Sequence, residues 1–160
     1  MNQVDKLEAL RASHLAAELD DTEAQALAGQ MGVTALSDGE LLVSEGDDSR
    51  TLFLVAAGAV NVSQIVGGHE EVIYQMRAGE FAGTRAFVDG SPRKAGLRAV
   101  GECTAFTLEP ADFESLGKLH PMLLYRVMRA LFRITHTNLT RANQESTQLR
   151  NYMLRTGGPY

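Results

Sequence analysis

Four basic side chains lie close together in the middle of the chain, and together they could bind an anion. Arg85, Arg93, Lys94 and Arg98 fall within fourteen residues, although the whole chain is acidic, with a formal net charge of -5. Arginine forks and backbone N–H groups suit a phosphate. The segment "FAGTRAFVDGSPRKA", residues 81–95, therefore predicts an anion site, whereas the overall charge argues against broad binding to nucleic acid or to an anionic membrane.

The sequence offers little for other kinds of chemistry. A cupin-like metalloenzyme needs several His and carboxylate ligands on neighbouring strands, but only His69 falls in the predicted β-region. Cys103 is the only cysteine, so one chain can form neither a disulfide nor a cysteine-based metal site. No Walker-type glycine loop and no serine in a nucleophile-elbow setting occurs in the sequence. We therefore expect no enzymatic activity, no metal and no cofactor.

The elements that would position the basic segment are two short helices, a glycine-punctuated β-region and a long C-terminal helix. Leucines recur at helical spacing within residues 4–32, and Asp20 begins a segment that can cap a second helix. Ten of the fifteen glycines lie between Gly39 and Gly101, where they separate short apolar runs such as "TLFLV" and "EVIYQM". Short strands at such intervals are typical of a β-sandwich or a β-roll. The sequence predicts a roll of about eight strands.

The C-terminal region predicts one long helix that pairs with a second copy of the chain. Pro121 is tolerated at a first helical position, and neither proline nor glycine follows until Gly157. Beyond about Leu131 such a helix outruns a small domain, so we expect a homodimer through it. The predicted seam follows the alternating three- and four-residue steps of a coiled coil. Its members are Met128, Leu131, Thr135, Asn138, Ala142, Glu145, Leu149 and Tyr152.

Length and the N-terminus set two further expectations. A chain of 160 residues with 44% apolar residues can bury one core, so we expect a single domain over residues 1–160. Its predicted parts are N-terminal helices at 1–32, the β-roll at 33–108 and C-terminal helices at 111–153. The N-terminus carries acids throughout and no apolar run long enough for a signal sequence or a membrane span. A cytoplasmic protein without membrane contact is therefore expected.

The order of these parts resembles the cyclic nucleotide-binding domain family, which includes the catabolite activator protein and the regulatory subunits of cyclic-AMP-dependent protein kinase. The segment "DGELLVSEGDDSRTLFLVAAGAVNV" carries the resemblance, which extends over about residues 15–149. Gly39, Gly46 and Gly58 stand where the family places turn glycines. The resemblance implies a mainly β fold with flanking helices, a double-stranded β-helix or jelly-roll barrel. It also implies a non-catalytic sensory module.

The basic segment then resembles the family's phosphate-binding cassette, a short helix and turn that holds the cyclic phosphate. Two positions depart from the family pattern: Thr84 replaces the glutamate that accepts from the ribose 2′-hydroxyl, and Gly96 replaces the Ser or Thr that donates to the phosphate. Each lost partner costs about 1–3 kcal/mol, so affinity for an ordinary cyclic nucleotide falls on the order of a hundredfold or more. The resemblance implies ligand contacts at Gly83, Thr84, Arg85, Ala86, Arg93, Lys94, Ala95, Gly96 and Asn138.

Three interpretations of the cassette stay open at this point. In the first, Arg93, Thr84 and the cassette amides bind cyclic AMP or cyclic GMP. In the second, four basic residues bind a different anion, a cyclic dinucleotide or another phosphorylated metabolite, and these residues are Arg85, Arg93, Lys94 and Arg98. In the third, the pocket is relict and its charges are a solvated rim, so the domain is a ligand-blind dimeric scaffold for a protein partner.

Two features of the long helix also carry expectations. In the resembled family this helix offers polar side chains to the nucleotide base, and Asn138, counted from His120 and Pro121, falls at such a position. The alternative is a buried asparagine that fixes coiled-coil register. In the catabolite-activator branch the helix leads into a helix-turn-helix domain of roughly 70 residues. This sequence ends with "NYMLRTGGPY", so we expect no direct DNA binding and an output through a partner protein or through sequestration of a ligand.

Overall fold

The computed structural model describes residues 3–156, without the side chains of residues 3, 4, 138–143, 145, 146, 152, 153, 155 and 156. The predicted fold class is confirmed, because a mainly antiparallel sheet is flanked by helices at both ends of the chain. The elements are α1 (Gln3–Arg11), α2 (Asp21–Gln30), β1 (Gly32–Leu36), β2 (Leu41–Val43), β3 (Leu52–Val66), β4 (His69–Arg77), β5 (Phe81–Ala82), α3 (Thr84–Asp89), β6 (Gly96–Leu108), α4 (Pro110–Leu116) and α5 (Pro121–Thr156).

The described chain contains six strands rather than about eight, because β3 and β6 are long and continuous. The strands pair in the order β1-β6-β3-β4, with β2 added to β6 and β5 added to β3. The register of β3 against β6 shifts on both sides of Ala57, where Gly58 adopts a φ of 84°. A Cβ at Gly58 would lie 2.4 Å from the carbonyl oxygen of Glu102, so only glycine lets the strand bend there without ending.

The second helix begins where the sequence predicts a cap. The Asp20 carboxylate accepts a hydrogen bond from the backbone N–H of Glu23 at 2.8 Å, and the Glu23 carboxylate accepts one from the N–H of Asp20 at 3.1 Å. This reciprocal arrangement satisfies two N–H groups that the helix itself cannot pair. The cap therefore fixes the point at which the chain turns from the first helix into α2.

Two apolar clusters fill the molecule, and they take alternate residues from the same strands. On β3, Leu52 and Leu54 belong to a cluster that packs against the helices, whereas Phe53 and Val55 belong to a cluster inside the roll. Successive side chains of a strand point to opposite faces, so one strand supplies both clusters. We call the first the helix-side core and the second the roll core. Phe106 of β6 is fully buried in the helix-side core.

The long helix α5 packs on the domain over its first half, whereas the described side chains of its second half are exposed. Leu123, Val127 and Leu131 are buried in the helix-side core, so Leu131 contacts its own domain. Of the remaining predicted seam, Thr135 and Leu149 are exposed, and Met128 is partly buried against the helix-side core. The side chains of Asn138, Ala142, Glu145 and Tyr152 lie outside the described residues.

A different face of α5 carries large exposed apolar groups. Met122, Tyr125 and Phe132 are 53%, 57% and 70% exposed, and their spacing places them on one side of the helix, away from Leu123 and Val127. We call these three residues the α5 stripe. None of the helices in the described part of the chain is long and apolar enough to cross a membrane.

Ion pairs fix the first half of α5 to the N-terminal segment. The Glu18 carboxylate, whose side chain is 7% exposed, accepts from Arg129 at 2.6 Å and also pairs with Arg133. Arg126 donates to Glu23 at 2.6 Å. The position of α5 over the roll is therefore set by charge pairing as well as by apolar packing.

Candidate functional site

The basic segment folds as a strand, a left-handed turn and a short helix. Phe81 and Ala82 pair with β3, Gly83 takes a φ of 85°, and the helix α3 ends at Gly90 with a φ of 75°. A Cβ at Gly83 would lie 2.0 Å from Nη1 of Arg93 and 2.9 Å from the carbonyl oxygen of Thr51. Gly83 is therefore required both by its dihedral angle and by the close approach of Arg93.

Arg93 is buried, although it carries the charge on which the sequence analysis relies. Its residue is 6% exposed, and its guanidinium lies 5.4 Å from the centre of the Phe53 ring. Backbone hydrogen bonds on both sides hold it in place: its N–H donates to the carbonyl oxygen of Asp47, and its own carbonyl accepts from Gly46, each at 2.8 Å. Arg93 is therefore a rigid part of the roll.

The guanidinium of Arg93 is only partly satisfied by the protein. Nη2 donates to the carbonyl oxygen of Thr51 at 2.6 Å and to the hydroxyl of Ser49 at 3.3 Å. Nε and Nη1 are buried, and within the described residues neither has a hydrogen-bond partner. Burial lowers the pKa of Arg93, which the nearby carboxylates of Asp47 and Glu109 oppose. Because buried polar groups in native proteins are nearly always paired, these two nitrogens without partners indicate a site for an anionic acceptor.

A cavity of about 360 Å³ opens beside Arg93. Its walls combine apolar side chains of the sheet, including Val62, Met76 and Leu97, with the cassette residues. This combination of an apolar cleft with a few fixed polar groups is typical of a small-molecule site.

Glu80 is the one carboxylate among the described residues that line this cavity. Its Oε1 accepts from the Tyr74 hydroxyl at 2.5 Å, and its Oε2 accepts from the backbone N–H of Arg77 at 2.7 Å. Both oxygens are therefore held by protein donors at the cavity wall. Within the described residues, no group of three or more His, Cys, Asp and Glu could hold a metal ion.

The structure brings most of the predicted contact residues together. Those that line the cavity are Gly83, Thr84, Arg85, Ala86, Arg93, Lys94 and Ala95. Asn138 cannot be placed, because its side chain lies outside the described residues. The helix α5 reaches the cavity through Ile134, one helical turn earlier.

Gly96 and Arg98 lie elsewhere, contrary to the sequence analysis. Ala95 and Leu97 line the cavity, so the alternation along the strand turns Gly96 away from it. A Cβ at Gly96 would lie 3.6 Å from Oγ of Ser63. The glycine therefore removes no group from the cavity wall. Arg98 donates to Glu70 at 3.1 Å and to the Gly39 carbonyl at 2.7 Å, outside the cavity, so the cluster of four cations is reduced to three.

Sequence reasoning also missed two lining residues that come from outside both the roll and the cassette. His14, in the turn between the first two helices, lines the cavity, and its backbone N–H donates to the carbonyl oxygen of Gly79 at 3.4 Å. Ile134 of α5 lines it as well. No local motif of the sequence indicated that either residue meets the cassette, which lies far from both along the chain.

A family model and a curated relative match this chain by sequence. The model described as cyclic nucleotide-binding domain matches residues 33–120, which is more than half of the chain. Human cGMP-dependent protein kinase 2 is 27% identical over 92 residues, which cover 56% of this chain and 12% of that protein. The chain thus spans about an eighth of the length of this relative.

Two solved structures share the fold. A cyclic nucleotide-binding domain from Methylobacillus flagellatus KT is 23% identical, with a TM-score of 0.78 over 89% of this chain and 81% of that one. The regulatory domain of Toxoplasma gondii PKA, crystallised with cAMP, is 26% identical, with a TM-score of 0.64 over 71% of this chain and 43% of that one.

Proposed function

The chain belongs to the cyclic nucleotide-binding domain family, and from this premise we propose that it is a non-catalytic regulatory module that binds a cyclic nucleotide and signals through a homodimer. Ligand binding is supported above all by the buried guanidinium of Arg93, whose Nε and Nη1 have no partner in the described part of the chain. A buried charge with free donors is costly unless an acceptor joins it. A cyclic phosphate supplies the missing charge and the missing acceptor oxygens together.

The other cavity residues fit the rest of a nucleotide. Gly83 presents no side chain, which leaves room for the guanidinium of Arg93 at the cavity wall. Thr84 lines the cavity where the resembled family has a ribose-binding glutamate, and its hydroxyl can accept from a ribose hydroxyl. The apolar wall around Val62, Met76 and Leu97 suits the faces of a purine. Cyclic AMP is the first probe, because the similar Toxoplasma gondii domain was crystallised with it.

Thermal unfolding with and without nucleotide tests ligand binding. A ligand at one hundred times its Kd stabilises the folded state by about 2.7 kcal/mol, which raises the Tm of a chain of this size by about 5–10 °C. Cyclic AMP and cyclic GMP should give such a shift with the unaltered protein. Arg93→Lys should abolish it, because a lysine cannot reproduce the planar fork.

Arg98→Lys is the matched control for that experiment. It changes the same side-chain type on strand β6, where Arg98 pairs with Glu70 outside the cavity. The thermal shift with cyclic AMP should survive this substitution. Equal retention of the shift in both variants would show that the ligand binds elsewhere and would end the proposal.

Homodimer formation is supported by the α5 stripe. Large apolar side chains that share one exposed helical face are typical of a surface that a partner covers, and a second copy can cover Met122, Tyr125 and Phe132 with the same three residues. Sedimentation velocity at micromolar concentration should show a dimer. Phe132→Glu should give a monomer, whereas Ile65→Glu, which alters a residue of β3 that is 58% exposed, should leave the dimer intact. A monomeric unaltered protein would refute this part of the proposal.

A ligand-blind scaffold is the second candidate, and Thr84 is the observation that favours it. A threonine hydroxyl lacks the charge of a glutamate, so a ribose is held less well. In this candidate the pocket is relict and no nucleotide stabilises the fold. This candidate predicts a stable dimer with no thermal shift for any nucleotide. The two experiments above therefore separate it from the regulatory module.

A further inference from the structure

The cavity beside Arg93 carries more positive charge than one cyclic phosphate requires. Three cationic side chains line it, Arg85, Arg93 and Lys94, against the single carboxylate of Glu80 in the described lining. The chain as a whole has a formal net charge of -5, so this surplus is local. A cyclic mononucleotide has one negative charge, and the free donors of Arg93 account for it.

The two remaining cations are available to a ligand. The Nε of Arg85 lies 3.6 Å from an Asp89 oxygen, but both side chains are more than half exposed, and such pairs contribute little. No carboxylate of the described residues forms an ion pair with Lys94, which directly follows Arg93 in sequence. Arg98 shows the contrast, because it is held by Glu70 and faces away from the cavity.

A second cavity lies beside the one that the cassette residues line. This cavity of about 280 Å³ shares His14 and Ile134 with the first. Its lining includes Arg133 and Thr137 of α5, together with Glu18. A ligand larger than a mononucleotide that extended past His14 and Ile134 would therefore remain in contact with the protein.

We propose that the ligand of this site is a cyclic dinucleotide, with one phosphate at Arg93, the second at Lys94 and Arg85, and one nucleoside extending past His14 and Ile134. This inference rests on the proposed function, because it assumes that Arg93 binds a phosphate. A cleft that concentrates one sign of charge strengthens the binding of a ligand of opposite sign. A second phosphate uses the surplus charge, and a second nucleoside uses the neighbouring cavity.

Isothermal titration of the full chain with cyclic AMP, cyclic di-AMP and ADP tests the proposal. Cyclic di-AMP should bind at least about tenfold more tightly than cyclic AMP, since one added charge-assisted contact is worth about that factor. ADP carries two phosphates on the same nucleoside but no cyclic phosphate, so it should bind more weakly than cyclic di-AMP. The advantage of cyclic di-AMP should shrink as salt is raised, because the second phosphate meets exposed cations.

Single substitutions locate the second phosphate. Lys94→Ala and Arg85→Ala should each lower the affinity for cyclic di-AMP about tenfold and that for cyclic AMP by less than about threefold. Lys118→Ala removes one exposed positive charge away from the cavity and should change the two affinities by the same small factor.

The outcomes separate this inference from the function on which it rests. If cyclic AMP binds through Arg93 and cyclic di-AMP binds no more tightly, the proposed regulatory module stands and the proposal of a cyclic dinucleotide ligand is wrong. Equal losses for both ligands in Lys94→Ala would likewise overturn the second phosphate site, and tighter binding of ADP than of cyclic di-AMP would overturn the cyclic dinucleotide. If none of the three ligands binds, both proposals fail together.

Discussion

Two faces of strand β3 can be compared directly, because Leu54 and Phe53 are neighbours in sequence and point in opposite directions. Leu54 is fully buried in the helix-side core, where the helices α1, α2, α4 and α5 cover the sheet. Phe53 lies in the roll core beside the Arg93 guanidinium, next to an open cavity of about 360 Å³. One face of the strand is covered by packed apolar groups, and the other borders the cavity that contains the charged Arg93 side chain.

The difference separates the part of the molecule that stabilises the fold from the part in which we propose a ligand site. Apolar side chains that interdigitate lower the free energy of the folded state. A cavity with a buried, partly unpaired guanidinium raises it, and proteins retain such features where function needs them. Substitutions on the two faces should therefore change the free energy of unfolding in different ways.

The largest expected effect comes from a matched pair of leucines, one on each face. Leu54→Ala should lower the free energy of unfolding by about 4–5 kcal/mol, the upper part of the range for a leucine in a closed core. Leu97→Ala, in the wall of the existing cavity, should cost about 2 kcal/mol because that side chain has fewer packed neighbours to lose. Urea unfolding measures both. Equal losses in the free energy of unfolding would contradict the division into a packed face and a face that borders the cavity.

The second prediction sets stability against binding at Arg93. Arg93→Met should leave the free energy of unfolding of the ligand-free protein unchanged or raise it by about 1 kcal/mol or more, because an apolar group of similar size replaces a buried charge with two free donors. The same variant should lose at least about a hundredfold in affinity for cyclic AMP. Urea unfolding and calorimetry report the two quantities.

Arg98→Met provides the control for the second prediction. Its guanidinium is already paired with Glu70, so its loss should lower stability slightly and should not affect the ligand. A clear fall in the stability of Arg93→Met, larger than that of Arg98→Met, would mean that the guanidinium supports the fold.

A third prediction concerns the close approach of the cassette turn to Arg93. Gly83→Ala should lower the free energy of unfolding by about 2–3 kcal/mol, because it adds a clash with Arg93 and Thr51 to the cost of a positive φ. Gly68→Ala has a similar φ of 83° but no atom within 4 Å of the added Cβ, so about 1 kcal/mol is expected. Thermal unfolding compares the two. A cost at Gly83 no greater than at Gly68 would remove the argument for crowding.

The smallest effect is a pH dependence inside the roll core. Burial raises the pKa of the Cys103 thiol, so the unfolded chain loses this proton at a lower pH than the folded protein does. The stabilising contribution is complete below the unfolded pKa of about 8.5 and decreases as pH rises through the folded pKa, by at most about 1.4 kcal/mol per pH unit. Urea midpoints between pH 7 and 10 should fall more steeply for the unaltered protein than for Cys103→Ala. Parallel slopes in the two proteins would contradict the assignment to this thiol.

The sequence by itself determined the features that depend on nearby residues. The order of helices and strands, the cap at Asp20 and the cassette from Gly83 to Ala95 are each specified within about 15 residues, where backbone dihedral angles and side-chain alternation decide the structure. Arg93 could be singled out for the same reason, because its neighbours match a local pattern. The continuous length of β3 was not predicted, since glycine marks a bulge as readily as a turn.

Only the tertiary structure decided which residues meet at the cavity. The register of β6 turned Gly96 and Arg98 away from it, and a shift of one residue would have reversed both, because successive side chains of a strand face opposite sides. His14 and Ile134 reach the cavity from positions 120 residues apart, through the packing of the helices on the sheet. Such contacts depend on the fit of the whole core, so no short segment of the sequence contains them.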